Sequence, residues 1–205
     1  MSHSRGEVPA PFYGVFGLGL AQTFLDGLGG TRSVFSNNQM IMRRSNIAIE
    51  GLIGAAIIDA AFSVLIRIGV LVIAFAFFKV MPVSTVPLAV LSFAGTLLIG
   101  CGIGLFLAPM SSLKRDIDNI MGFLPWIIFA VTPIFVKPSP DSLATKLYAF
   151  NPLAWIFDST RSMAYGAQGS ITPGLICMAA GPLILLAGWV FCRVWHPYVV
   201  ERSLV

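Results

Sequence analysis

Charge is scarce in this chain. Of its 205 residues only 11% are Asp, Glu, Lys or Arg, while 57% are hydrophobic, and mean hydropathy is +0.86. A water-soluble domain carries about 25% charged residues, so the polar surface here is too small to clothe a core in water. An ordinary soluble enzyme is excluded. Histidine is scarcer still: His3 and His196 stand one in each tail, and no apolar run contains an imidazole. The cysteines, Cys101, Cys177 and Cys192, are odd in number and lack metal-type spacing, so neither a disulfide framework nor a metal site is indicated. The net charge of +4 is spread over basic residues that occur singly or in pairs between apolar runs, which is no footprint for nucleic acid.

Two kinds of catalytic chemistry lack their residues as well. No G-x-x-x-x-G-K-[ST] phosphate loop occurs, so ATP is not bound in the P-loop manner. Membrane hydrolases and transferases need a nucleophile–base pair, a carboxylate pair or a metal set near the interface. No expected span carries a histidine, a G-x-S-G run or an acid-x-acid pair. Asp116 and Asp118 form such a pair in a loop, but on a helix they point about 200° apart. No cofactor is expected in the chain, and an intramembrane enzyme is disfavoured.

What is abundant is uncharged, apolar sequence. A helix needs roughly 20 apolar residues to cross about 30 Å of hydrocarbon. Only helices or closed barrels satisfy their backbone there, and nothing alternates with a barrel's period. The spacing of charges predicts an all-α integral membrane protein of a single domain, with about five transmembrane helices near 9–28, 47–78, 87–107, 119–136 and 174–193. The first run lacks an A-x-A-like cleavage site, so it reads as a span rather than a signal peptide. Basic residues set the orientation. Arg32, Arg43, Arg44, Lys114, Arg115, Arg193 and Arg202 fall on one side, against Arg5, Lys79, Lys137, Lys146 and Arg161 on the other. The N-terminus is therefore expected outside and the C-terminus in the cytoplasm.

Between the last two spans, residues 137–172 predict two short outer helices, interfacial or re-entrant. Ser139-Pro140-Asp141 offers a hydroxyl cap, a proline at the first helical position and an acid near the positive helix end. Asn151-Pro152 repeats the cap-then-proline arrangement and opens a helix ending near Gly166. At about 1.5 Å per residue that helix is too short to cross a bilayer.

Six stretches stand in order along the chain: Ser36-Asn37-Asn38-Gln39-Met40-Ile41, Gly100-Cys101-Gly102-Ile103-Gly104-Leu105, Arg115-Asp116-Ile117, Thr132-Pro133-Ile134, Asn151-Pro152-Leu153 with Arg161 ten residues later, and the tail Trp195–Arg202. Their order and spacing extend over nearly the whole chain. By these residues the chain resembles the membrane subunit of the polysaccharide and polyol-phosphate exporters, a family of ATP-binding-cassette permeases serving O-antigen, capsule and teichoic-acid export. Family members have an amphipathic N-terminal helix and one more span before the segment matching Val8–Leu28, so this chain looks like the last five spans of a six-span permease.

The resemblance implies a homodimeric permease, driven by a separate ATPase that carries the ATP and magnesium, moving a lipid-linked glycan across the bacterial inner membrane. Drug or lipid export, or a shortened chain that transports nothing, are the alternatives. It further implies that the inner loop 29–46 docks on the ATPase as a coupling helix. Asn37, Asn38, Arg43 and Arg44, with Arg115 and Asp116 of the next inner loop, are the candidate coupling residues. Arg43 and Arg44 equally suit anchors to lipid headgroups, and Arg115-Asp116 a charged membrane-edge pair that water screens.

Asp59 and Arg67 lie eight apart in one span, about 80° around a helix. Bridged by Ser63, they suit either a polar stripe lining a pore or a structural pair between helices. Ionisable groups at such depth face a bundle interior or a wet cavity. Tyr13, Trp126 and Trp155 belong to an outer aromatic collar, which suits interfacial anchoring or shallow stacking on sugar rings. Asn151, Pro152 and Arg161 are the candidate residues of an outer gate.

Overall fold

Residues 86–113 distribute glycines around one long apolar helix, and the other helices gather about it. The structure, a computed structural model, describes residues 10–38, 40, 49–78, 84–113, 115–132, 134, 148, 150–166 and 170–203. Among these all regular structure is helical. In chain order the helices are α1 (Ala10–Arg32), α2 (Val34–Asn37), α3 (Ile49–Phe77), α4 (Val86–Leu113), α5 (Arg115–Val131), α6 (Pro152–Tyr165) and α7 (Thr172–Ser203).

Close approach of backbones builds the centre. A Cβ on Gly100 would stand 2.5 Å from the Phe24 carbonyl oxygen of α1, and one on Gly102 would stand 2.6 Å from Ile184 of α7. Glycine at these points lets α4 lie directly against a neighbour on each side, the arrangement that small residues permit between apolar helices. The Thr31 hydroxyl of α1 reaches the Gly27 carbonyl of its own helix at 2.7 Å and the Cys101 carbonyl of α4 at 2.9 Å. Along the rest of the seam between α1 and α4, Phe16, Leu20, Phe24, Phe93 and Leu97 form the main core, with Phe16 and Phe93 edge to face at 5.5 Å.

A second, smaller core ties the opposite end. Phe35 of α2 is fully buried among Ile49, Ile53, Leu105 and Cys192, and its ring stacks on His196 of α7. Glu50 and Arg193 close the same end with an ion pair of 3.7 Å. Antiparallel packing thus gives the bundle an α2 end and an α6 end.

α3 leans on the bundle by the stripe Ile53, Ala60, Val64 and Leu71, at helical spacing. Apart from Asp59, its remaining surface is largely apolar and is exposed: Ile58, Phe62, Leu65, Ile66, Val70 and Ile73 are each more than half accessible. A helix that is apolar on nearly every side is at home only in a core or a membrane. α3, α4 and α7 are long and apolar enough to cross a membrane, and the architecture is that of an all-helical membrane protein.

The other two expected spans differ from these three. α1 has 23 residues but includes Gln22, Thr23, Asp26 and Thr31; much of it lies against α3 and α4, where polar groups find partners. α5 has 17 residues, and its apolar part runs only from Asn119 to Val131. Boundaries shift too. α1 continues to Arg32, so the segment expected as a loop from residue 29 begins as helix, and α7 extends to Ser203 rather than ending near 193.

Candidate functional site

Asn151 and Arg161 are the two residues that hold α6 in place. Asn151 is its N-cap: the side-chain oxygen accepts from the Leu153 amide at 3.0 Å, while the side-chain nitrogen donates to the Val131 carbonyl and the Thr132 hydroxyl, each at 3.0 Å. One amide therefore both starts α6 and fastens it to the end of α5. Pro152 occupies the first helical position, where its missing N–H costs nothing. Gly166 ends the helix at φ 74°, its N–H returning to the Ser162 carbonyl at 3.0 Å. Left-handed backbone of this kind favours glycine.

Arg161 is 1% exposed, the largest fully buried side chain described. Its Nη2 donates to the Ile134 carbonyl at 2.9 Å and approaches the Tyr13 carbonyl at 3.4 Å. Its guanidinium carbon lies 3.6 Å from the centre of the Tyr13 ring, and Nη1 meets Asp158 at 3.4 Å. Gly17 makes room for this: a Cβ there would overlap both the Arg161 guanidinium and the Ile134 carbonyl. On its far side α6 is held by the Thr85 hydroxyl, which donates to the Met163 carbonyl. The cation thus joins α1, α6 and the chain after α5 at one point.

The residues expected as an aromatic collar are not drawn together. Tyr13 is part of the Arg161 contact. Trp126 is 74% exposed on α5 and Trp155 50% exposed on α6, and neither makes a ring contact among the described residues.

The polar stripe also resolves differently. Arg67 turns to α1, where Nη2 lies 2.5 Å from Asp26 Oδ2 and Nε lies 3.3 Å from Gln22. Asp59 is exposed on the far face of α3 and makes no ion pair or hydrogen bond among the described residues, and Ser63 is half-buried between them. Eight residues amount to about 12 Å along a helix, too far for a direct Asp59–Arg67 pair. The pairing carboxylate, Asp26, sits six residues inside the end of α1. Its readable signal was the helix-compatible run that continues past it to Arg32.

At the α2 end, Asn37 and Asn38 turn back on their own segment. Asn37 Nδ2 lies 3.2 Å from the Ser33 hydroxyl, and Asn38 donates to the Val34 carbonyl at 2.8 Å. Asn37 is exposed, with Phe35 beneath it as the buried anchor. Arg43 and Arg44 lie outside the described residues, as does the first of the two expected outer helices. Arg115 and Asp116 open α5, and their side chains lie outside the described part.

Among the described residues no group of three or more His, Cys, Asp or Glu is placed to hold a metal ion. Phe16, Leu71, Phe75, Val90 and Phe93 help to line a small apolar crevice of about 50 Å³ between α1, α3 and α4, with no polar surface. Compared with known proteins, the chain matches no protein-family model and no curated protein.

Proposed function

We propose that this chain is the permease subunit of an ATP-driven exporter, moving a lipid-linked polysaccharide or polyol-phosphate polymer across the bacterial cytoplasmic membrane. The observation that carries the reading is α6. It is a short helix fastened by Asn151 and Arg161 to the same end of an apolar bundle, where the sequence resemblance puts an outer gate. In this reading α1 and α5 cross the membrane with α3, α4 and α7, making five spans, and the α2 end faces the cytoplasm. The permease works as a homodimer. Phe35 seats the loop that a separate ATP-binding-cassette ATPase would grip, and Arg43, Arg44, Arg115 and Asp116 complete that contact. ATP and magnesium belong to that partner.

The wholly apolar crevice beside Phe16 and Phe93 favours a second reading, export of a lipid. The two readings share the ATPase and differ in cargo.

Mild-detergent purification of the chain from its native membrane, with its companions identified, tests the proposal. Recovery of an ATP-binding-cassette ATPase, reduced when Arg43, Arg44 and Asp116 are replaced by alanine, is the expected result. A well-inserted chain that brings no ATPase would overturn it.

A further inference from the structure

Among the described residues nothing pairs with Asp59. α3 spans 29 residues with Ser63 at its midpoint, so Asp59 and Arg67 each lie about 6 Å from the helix centre. Both fall within the roughly 30 Å of hydrocarbon that such a helix crosses. Arg67 is compensated by Asp26 and Gln22. Asp59 is exposed, flanked by Ile58 at 72% and Phe62 at 62% accessibility. A carboxylate facing lipid at that depth is costly, and intramembrane acids pair with a neighbour or border water.

The surface around it is shaped for a helix. Gly51, Ala55 and Asp59 recur every fourth residue on the exposed side of α3, and a Cβ on Gly51 would meet nothing within 4 Å. An open row of small residues lets another helix approach closely, and the row leads to the carboxylate.

We propose that this face of α3 binds a membrane-spanning helix of another protein that presents a lysine or arginine to Asp59. Charge complementarity selects this occupant over a second copy of the chain. Two copies meeting on this face would bring their Asp59 carboxylates together. Among the cations whose side chains are described, Arg67 pairs with Asp26, Arg161 is buried on α6, Arg193 pairs with Glu50 at the α2 end, and Arg32 in the last turn of α1 is engaged as well. The inference is independent of what the protein transports.

The test places a benzophenone-bearing amino acid at position 62 of the full chain in its native membrane, irradiates, and sequences the adducts. A discrete adduct to one membrane span containing Lys or Arg is expected. Asp59→Asn, which keeps size and loses charge, should lower its yield about tenfold. Asp59→Lys should abolish it, and converting the partner's cation to Asp should restore it in that background. The proposal is overturned by adducts to lipid alone, by adducts joining two differently tagged copies, by a partner span without a cation, or by a yield that Asp59→Asn leaves unchanged. A pull-down that fails to find an ATPase would leave this result standing, and the reverse holds too.

Discussion

Arg161 lies over the ring of Tyr13 and reaches past it to the carbonyl of Ile134, so one buried cation joins residues from three parts of the chain. Asp158, with which it forms an ion pair, is 61% exposed. Of these contacts, those to the carbonyls and the ring therefore contribute more than the Asp158 ion pair. Hydrogen bonds made by a charged donor contribute about 1.5–3 kcal/mol, whereas an exposed ion pair contributes about 0–1 kcal/mol. Arg161→Ala should lower the melting temperature in detergent markedly, Arg161→Lys by less, and Asp158→Ala hardly at all. Equal losses from Asp158→Ala and Arg161→Ala would refute this division.

Asn151 acts through both ends of its amide, and two variants separate them. Asn151→Asp keeps the oxygen that caps α6 and loses the donor to Val131 and Thr132; Asn151→Ala loses both. Cap removal costs about 0.5–2 kcal/mol. Protease cleavage near α6 in membranes should rise in the order wild type, Asp, Ala. If the transport reading holds, both variants should insert normally yet alter export. Equal cleavage in all three proteins would show that the bonds to α5 and the cap contribute nothing.

Arg67 should couple to Asp26 and not to Asp59. Reversing either Arg67 or Asp26 should reduce the yield of folded protein, and the double reversal, Asp26→Arg with Arg67→Asp, should recover it. Coupling of about 1–2 kcal/mol is expected from a double-mutant cycle, near the upper end for polar pairs between membrane helices. The combination Asp59→Arg with Arg67→Asp should give no recovery. Recovery there would place Arg67 on the wrong neighbour.

Glycine positions divide by the space beside them. Gly100→Ala forces a methyl group against the Phe24 backbone, and overpacking of this kind costs about 1–3 kcal/mol. Gly54 has nothing within 4 Å of a built Cβ, so Gly54→Ala should be neutral or raise stability by up to about 1 kcal/mol through helix propensity. Thermal melts of the two variants side by side decide the matter.

Helical class and membrane character were legible without coordinates, because both follow from composition and local pattern. Scarce charge and long apolar runs leave the backbone no solvent partner, and a helix satisfies its hydrogen bonds within the segment itself. For the same reason the limits of α6 were readable: Asn151, Pro152 and Gly166 each act on the backbone within a few residues. Which charges meet was a different matter. Arg67 was separated from Asp26 by 41 residues and Arg161 from Tyr13 by 148. No periodicity within one helix carries that information. It was decided by how closely the helices approach, at Gly17 and Gly100 above all, where the absence of a side chain on one helix admits a guanidinium or a backbone from another. Tertiary packing likewise put Asp59 outside the bundle and Arg67 within reach of α1, though both stand on one helix four residues from its centre. Eight residues of rotation turned them toward different neighbours, and only the placement of α1 determined which of the two found its partner within the chain.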